Sequence, residues 1–294
     1  MFSHLNERPS DPERVVILGA AGFVGAATSK LLGACGIDVL AITRKDLNLL
    51  SEHAVVRLHE LLRPTDSLVV ISAKAPCKNT AMLLENIQMM TAICAALERI
   101  SVAHVIYVSS DAVYRDSKEL LNEQSCAEPG SLHGAMHLAR EVMMKSIGGA
   151  RLAVLRPTLI YGLSDPHNGY GPNRFRRVAT AGQDIILFGE GEERRDHVLI
   201  DDVAELIYRT LCHRSSGTLN IATGDAHSFR TIAEWIAGMS GKQIQIRGSK
   251  RQGPLPHGGY RAFDSSATRT AFQDFRYTPL QEGLRKIQSA MVSS

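Results

Sequence analysis

The sequence has no long apolar run, and this absence limits where the protein can act. Among its 294 residues, no stretch of about 18 uncharged apolar residues stands in a row. The N-terminal segment MFSHLNERPSDPER also lacks the apolar core of a signal peptide. We therefore expect a cytoplasmic protein with no membrane partner.

Neither charge nor cysteine is abundant enough to define a function. Lys plus Arg number 33 against 30 for Asp plus Glu, and no basic run stands out. The sequence therefore shows no concentration of positive charge that would indicate nucleic-acid binding. The five cysteines are odd in number and include no C-x-x-C pair. This pattern favours reduced, mostly buried thiols and argues against a zinc site.

Short β-branched segments alternate with helical segments through the first 160 residues. The patterns predict strands over 14–18, 37–43, 68–72, 104–109 and 151–156, and helices over 22–34, 51–62, 79–99 and 132–147. Strands that alternate with helices need crossover connections, so they form a parallel sheet covered on both faces. The expected class is a doubly wound α/β fold, with ligands at the carboxyl ends of the strands.

The pattern loosens after residue 160. The segment SDPHNGYGPN is rich in turn formers, and shorter helices and strands follow to the end. We predict an N-terminal tail over 1–13, a first domain over 14–160 and a smaller α/β part over 161–294.

The turn after the first predicted strand is rich in glycine. It reads GAAGFVG, a G-x-x-G-x-x-G pattern that follows a strand and opens a helix. Glycine allows a tight turn and close backbone approach to a diphosphate, and a helix N-terminus offers unpaired N–H groups to an anion. The turn therefore predicts a dinucleotide site made by Gly19, Gly22, Phe23, Val24 and Gly25.

The second predicted strand ends in AITRKD, where an NAD site usually has a carboxylate for the ribose diol. Arg44 and Lys45 stand there instead, and a guanidinium can pair with the 2′-phosphate of NADP. We favour NADP on this basis. Asp46 keeps NAD as the alternative cofactor. The two cations are also compatible with an ordinary solvated loop.

Five motifs together resemble a known family. In chain order they are GAAGFVG, VSSDAVY, LRPTLIYG, RRDHVLIDDVAELI and TPLQEGLRK. Their order and spacing resemble the extended short-chain dehydrogenase/reductases, the NAD-dependent epimerase/dehydratase family that modifies nucleotide sugars. The resemblance implies a Rossmann domain for the dinucleotide and a C-terminal part for a nucleotide-diphosphate sugar. It also implies hydride transfer by an epimerase or a 4-keto-sugar reductase, with the length and TRKDLNLL closer to the reductases.

The resemblance also assigns site residues by position. Ser110 matches the Ser or Thr that hydrogen-bonds the reacting oxygen, and Asp111 stands where dehydratases of the family place an acid. Arg195 matches the arginine of the nucleotide diphosphate, and Arg174 could add charge there. Lys74 stands beside the cofactor, where it could meet a phosphate.

Two histidines replace the residues expected for proton transfer and ribose binding. The family pattern Tyr-Gly-x-x-Lys-Leu-x-x-Glu reads HGAMHLARE here, so His133 stands for the tyrosine and His137 for the lysine. In the family, that lysine ammonium lowers the pKa of the tyrosine and holds the nicotinamide ribose. Positions four apart share a helix face, and imidazole exchanges protons near neutral pH. His133 is thus a candidate acid or base, with His137 holding the ribose.

Three other interpretations of this pattern stay open. The histidines could mark a degenerate site in a protein that only binds its dinucleotide, as a sensor or partner. A metal site built on the pair is disfavoured, because no companion Glu is placed as in H-E-x-x-H and the cofactor would already occupy the cleft. Tyr114, in the single Tyr-x-x-x-Lys of the chain, could substitute as an acid, although it follows its strand too closely.

The predicted helix over 79–99 has apolar residues on more than one face, which requires more than one packing partner. In the family this helix and the one that carries the acid or base pair across a dimer. We therefore expect a homodimer.

Overall fold

The chain folds into twelve strands and nine helices over the residues that the structure describes. This computed structural model describes residues 1–148 and 151–292, so the final two residues of the predicted part 161–294 lie outside the described residues. The elements up to β5 are β1 (Val15–Leu18), α1 (Phe23–Ala34), β2 (Val39–Ile42), α2 (Ala54–Leu61), β3 (Ser67–Val70), α3 (Thr80–Leu97), β4 (His104–Val108), α4 (Leu132–Ser146) and β5 (Leu152–Pro157). Those that follow are β6 (Leu159–Tyr161), α5 (Pro172–Thr180), β7 (Ile185–Phe188), β8 (Arg194–Leu199), α6 (Ile200–Cys212), β9 (Gly217–Ile221), β10 (Ala226–Ser228), α7 (Phe229–Met239), β11 (Ile246–Ser249), β12 (Tyr260–Arg261), α8 (Ser266–Ala271) and α9 (Leu280–Val292).

A six-stranded parallel sheet organises the first half of the chain. Its strand order is β2-β1-β3-β4-β5-β9, and every neighbouring pair is parallel. The prediction of a doubly wound parallel α/β fold is therefore confirmed. The sixth strand, β9, comes from the second half of the chain, so the predicted division at residue 160 does not follow the edge of the sheet.

Helices cover both faces of the sheet. Helices α1 and α6 pack against each other on one face, while α2, α3 and α4 cover the other. The strands β1, β3 and β4 are buried along their whole length, as expected for a sheet covered on both sides. By length and composition, α3 is the one helix of the described residues that could cross a membrane. One side of α3 packs against α2 and α4.

The second half of the chain adds two small sheets beside the large one. Strands β10, β8 and β12 form one, with β6 paired to β8, and β7 pairs with β11 in the other. Helices α5, α7 and α9 pack here around a separate apolar cluster that includes Phe175, Phe229 and Leu284.

A buried ion pair joins α4 to the sheet. The Glu141 carboxylate accepts hydrogen bonds from Arg156 Nε at 2.8 Å and Nη2 at 2.6 Å, and from Ser109 Oγ at 2.6 Å. Burial opposes ionisation of Glu141, but these hydrogen bonds bring the pKa of the carboxyl below its ordinary value. Because both partners are satisfied, the pair fixes α4 in register with β4 and β5.

Replacing Arg156 with Met should leave the buried Glu141 carboxylate with only the half-exposed ammonium of Lys145, at 3.3 Å, as its cation. We expect a loss of about 3–5 kcal/mol in the free energy of unfolding, measured by urea denaturation at neutral pH. The exposed pair Arg57–Glu60 provides the control, since Arg57→Met should cost less than about 1 kcal/mol. Equal losses at the two sites would contradict the structural role given to the buried pair.

Candidate active-site cleft

One cleft of about 720 Å³ opens at the carboxyl ends of the parallel strands, where the sheet order predicts ligand binding. Both halves of the chain contribute to its walls. Its lining includes Gly19, Gly22, Phe23, Val24, Arg44, Lys74, Ser110, Asp111, His133, His137, Tyr170, Asn173, Arg195 and His197.

The glycine turn after β1 can admit only glycine at two positions. Gly19 has φ +95°, and a Cβ there would lie 2.7 Å from the backbone N of Ser72. A Cβ on Gly25 would lie 2.2 Å from the carbonyl oxygen of Gly19. The turn therefore packs tightly against the segment that follows β3. Gly22, Phe23 and Val24 line the cleft at the start of α1, where the first N–H groups of a helix have no intrahelical partners, while Gly25 lies outside the lining. This cradle fits the diphosphate of a dinucleotide.

The loop after β2 presents a cation to the cleft and turns its carboxylate away. Arg44 lines the cleft, whereas Lys45 and Asp46 are not among the lining residues. Asp46 Oδ2 accepts hydrogen bonds from the backbone N of Thr43 at 2.9 Å and from its Oγ1 at 2.7 Å. The hydrogen bond from the Thr43 hydroxyl lowers the pKa of Asp46. Asp46 is thus engaged within its own turn.

Lys74 lies at the opposite wall, beyond β3. Its ammonium pairs with Glu85 of α3, and its backbone N donates to Asn86 Oδ1 at 2.9 Å. Lys74 therefore faces the cleft with its charge already balanced.

A close backbone contact places the two histidines. Ser131 caps α4 by accepting a hydrogen bond from Gly134 N at 3.1 Å. A Cβ on Gly134 would lie 2.0 Å from the carbonyl oxygen of Ala112, in the short 3₁₀ turn Asp111–Val113. Glycine at this position lets α4 touch the turn after β4, and this contact brings the start of α4 beside Ser110.

His133 lines the cleft with one ring nitrogen already engaged. The backbone N–H of Cys77 donates to its Nδ1 at 3.4 Å. Burial lowers the pKa of His133, and the Asp111 carboxylate opposes that shift. A neutral ring whose Nδ1 accepts a hydrogen bond carries its proton on Nε2.

His137 lies one turn further along α4 in the same cleft. The two imidazole rings are 4.8 Å apart between centroids and nearly perpendicular, at 84°. His137 is 6% exposed, and its Nδ1 lies 2.8 Å from Tyr107 Oη. Burial, followed by the charges of His133 and Arg140, holds the pKa of His137 well below its ordinary value. The residue is therefore uncharged at neutral pH.

Ser110 and Asp111 stand where β4 ends. Ser110 Oγ accepts a hydrogen bond from Ala112 N at 3.2 Å and lies 3.4 Å from Asp111 Oδ1. Arg261 Nε donates to Asp111 Oδ2 at 3.0 Å, and Arg195 Nη2 lies 3.8 Å from the same oxygen. Two guanidinium groups thus hold the Asp111 carboxylate.

Tyr114 is placed outside the cleft. It is 2% exposed, donates from its hydroxyl to Asn220 Oδ1 at 2.7 Å and accepts from Arg156 Nη1 at 2.8 Å. Its hydroxyl is therefore engaged in the core beneath β5.

The second half of the chain supplies the far wall. Arg195 lines the cleft and pairs with Glu193 at 3.3 Å, whereas Arg174 is exposed and is not a lining residue. The neighbouring Asn173 lines the cleft instead, and its Oδ1 accepts from Gly162 N at 3.0 Å. Sequence reasoning missed Asn173 and His197 as site residues, although Asn173 ends the quoted segment SDPHNGYGPN and His197 lies within the motif RRDHVLIDDVAELI.

No group of three or more His, Cys, Asp or Glu side chains suited to a metal ion occurs among residues 1–148 and 151–292. The histidine pair faces two other groups, Cys77 N–H and Tyr107 Oη, and neither is a third ligand for a metal.

Comparisons with known proteins agree with this architecture. The model of a family described as "NAD dependent epimerase/dehydratase family" matches residues 15–222. A dTDP-L-rhamnose 4-epimerase of Burkholderia thailandensis is 25% identical over an alignment of 326 residues, which covers 87% of this chain and 89% of the relative.

Solved structures share the fold at lower identity. A UDP-glucose 4-epimerase of Thermus thermophilus, in complex with NAD, superposes with a TM-score of 0.82 at 22% identity and covers 96% of this chain and 99% of its own. A GDP-L-fucose synthetase of Naegleria fowleri, bound to NADP, has a TM-score of 0.83 at 17% identity and covers 98% of this chain and 97% of its own.

The glycine cradle can be tested with two alanine variants of the same helix. Gly25→Ala should weaken binding of NADPH and NADH more than about tenfold, because its Cβ displaces the turn that faces the diphosphate. Gly33→Ala is the control, since nothing lies within 4 Å of its Cβ, and it should bind both dinucleotides like the parent protein. Fluorescence titration measures both, and unchanged affinity in Gly25→Ala would contradict the assignment.

Proposed function

The chain belongs to the NAD dependent epimerase/dehydratase family, and on this premise we propose that it transfers hydride between NADP and a nucleotide-activated sugar, in the direction of keto reduction. The observation that carries the proposal is that the glycine turn, Ser110, His133 and Arg195 line the same cleft. A dinucleotide and a sugar nucleotide can meet there with the reacting carbon beside Ser110 and His133.

Preference for NADP over NAD is supported by the loop after β2. Arg44 faces the cleft, and the carboxylate of Asp46 is engaged by Thr43. A ribose diol would therefore lack its usual carboxylate partner, while a 2′-phosphate would meet a guanidinium.

Keto reduction is supported by the hydrogen-bonding state of His133. When bound, the nicotinamide supplies the hydride. Ser110 Oγ and His133 Nε2 can each donate a hydrogen bond to the carbonyl oxygen and stabilise the negative charge that develops there. The alkoxide that hydride transfer leaves then takes its proton from solvent water, so that the neutral imidazole keeps its own proton. Because Cys77 N–H occupies Nδ1, a neutral His133 offers a donor to the cleft and no basic nitrogen. Such a donor can stabilise a carbonyl oxygen that gains negative charge, but it cannot remove the proton of a hydroxyl group that is being oxidised.

Arg195 is proposed to bind the nucleotide diphosphate. Its guanidinium lines the cleft within reach of Glu193 and Asp111, which hold its position. A guanidinium fixed in this way can bind phosphate oxygens with two parallel hydrogen bonds.

A homodimer is proposed through α3 and α4. Leu84 of α3 and Val142 of α4 are each 59% exposed, and the two helices pack side by side on the same face of the sheet. A second copy would cover these side chains.

A dinucleotide-binding protein without efficient turnover is the second candidate. It is favoured by one observation, the uncharged His137 where the family places a lysine ammonium. Purified protein assayed with NADPH and a panel of GDP-, UDP- and dTDP-activated 4-keto sugars separates the two. Dinucleotide binding without oxidation of NADPH by any member of the panel would favour the second candidate, and tightly held oxidised cofactor would favour an epimerase.

Arg44 should determine the preference for NADP. Arg44→Ala should weaken NADPH binding about 10- to 100-fold, the value of one charge-assisted contact, and leave NADH binding unchanged. Lys45→Ala is the matched control, because Lys45 lies outside the lining. Calorimetric titration measures the affinity of each variant for NADPH and for NADH. A larger loss of NADPH affinity in Lys45→Ala than in Arg44→Ala would overturn the assignment.

The pH dependence of reduction should show which form of His133 acts. Because burial lowers the pKa of His133 below 6.5, the protonated form decreases about tenfold per pH unit above that value. If the neutral Nε2–H is the donor, kcat should stay flat between about pH 6.5 and about pH 8. A kcat that falls tenfold per unit across this range would instead identify the imidazolium as the acid.

Substitution at residue 133 complements this profile. His133→Ala should lower kcat about 10²- to 10³-fold, as expected for loss of one donor to the reacting oxygen. His133→Gln retains an N–H donor and should lose less. Equal activity of His133→Ala and the parent protein would remove His133 from the mechanism.

A further inference from the structure

We propose that Tyr107 and Arg140 are positioning residues that fix His137 as an uncharged imidazole with its proton on Nε2. On this basis His137 meets the nicotinamide ribose with an N–H donor, and a buried cation, Arg140, lies one turn further along α4, behind the cleft. The identity of the ligand rests on the proposed function, whereas the state of His137 rests only on contacts within the protein.

The hydroxyl of Tyr107 determines which nitrogen of His137 carries the proton. Tyr107 is 1% exposed, and its Oη lies 2.8 Å from His137 Nδ1. Burial raises the pKa of Tyr107 to about 12, so the phenol keeps its proton and donates it to this hydrogen bond. Among the described residues Tyr107 Oη has no other hydrogen-bond partner, so if it accepted from Nδ1 its own proton would be buried without an acceptor. Nδ1 therefore accepts, and the proton of the neutral ring stays on Nε2.

Arg140 places a full positive charge behind this pair. Its side chain is completely buried, and its Nη2 donates to the carbonyl oxygen of Ser72 at 2.7 Å. The guanidinium carbon lies 5.3 Å from the centroid of the Tyr107 ring, in a cation–π arrangement. Within the described parts of the chain, no carboxylate lies within ion-pairing distance of Arg140, and its Nε has no hydrogen-bond partner.

A buried cation without a counter-charge opposes a second charge nearby. The titratable groups that face His137 are His133 and Arg140 on α4 and Tyr107 on β4, and none of them is an anion at neutral pH. Glu141, the closest acid along the helix, is engaged by Arg156 and Ser109. A lysine at position 137 would therefore meet Arg140 without compensation.

The state of His137 can be read on the ligand-free protein. Full-length protein labelled with ¹⁵N-histidine is examined by NMR, and His137 is assigned from its loss in His137→Gln. We expect an unprotonated Nδ1 and a protonated Nε2 from about pH 6 to about pH 8. In Tyr107→Phe, which removes the donor and keeps the ring, the two neutral tautomers should mix. A proton on Nδ1, an imidazolium signal in this range, or an unchanged tautomer in Tyr107→Phe would overturn the inference.

The role of Arg140 is tested by a double-mutant cycle on the full chain. His137→Lys should lower the melting temperature by several degrees relative to the uncharged control His137→Gln. In an Arg140→Gln background, which keeps an amide donor for Ser72, this difference between Lys and Gln should disappear. An equal difference in both backgrounds would show that Arg140 does not exclude a second cation. If Arg140→Gln does not fold, the cycle is run in Arg140→Lys, which keeps the charge. The difference between Lys and Gln at position 137 should persist there, and its disappearance would show that a positive charge at position 140 does not exclude a second one.

Binding of NADPH separates this inference from the proposed function. Tyr107→Phe should bind NADPH about fivefold more weakly, the value of one neutral hydrogen bond. A parent protein that binds no NADPH but shows the expected tautomer would sink the proposed function and leave the state of His137 intact. NADPH binding by a protein whose His137 carries its proton on Nδ1 would overturn the state assigned to His137 and leave the proposed function intact.

Discussion

The contact between Gly134 and the carbonyl oxygen of Ala112 determines the geometry of the site. It joins the start of α4 to the turn after β4 with no room for a side chain, so His133, Ser110 and Asp111 occupy one corner of the cleft. The buried pair of Glu141 and Arg156 anchors the same helix two turns later. Between these two fixed points, His137 and Arg140 have little freedom to move, and their contacts with Tyr107 follow from the register of α4 on β4.

The site also shows how burial can set protonation without a charged partner. His133 and His137 each direct Nδ1 at a fixed donor, one from backbone and one from a phenol. Both rings are kept neutral by desolvation, and both can present an N–H to the cleft. Two identical side chains thus differ only in the group behind each ring, which is a backbone N–H for His133 and a buried phenol for His137.

The first half of the fold could be predicted because its strands are buried on both faces. Continuous apolar segments such as VVIL and HVIYV have few alternative structures, and the helices between them define the crossovers. Strand β9 was not predicted, since GTLNI is short and half polar, and only pairing with β5 makes it part of the large sheet.

The candidate site was also predicted only in part. The glycine turn and the histidine pair were visible from spacing, because both lie within one local segment. Arg174 was named from its charge, but it is exposed on α5, and the adjacent Asn173 faces the cleft. Tyr107 and Arg140 could not be found from the sequence, because their roles depend on how α4 is rotated against β4.

Strand β9 has a consequence for how the molecule can be divided. It pairs with β5 over five residues and is reached only after the chain has built β6, β7, β8 and α6. A fragment that ended near residue 160 would leave the hydrogen-bonding edge of β5 open and the α1 face without α6. The two halves should therefore unfold together as one cooperative unit, and exchanging the second half for that of a relative would also exchange a strand and a helix of the dinucleotide domain.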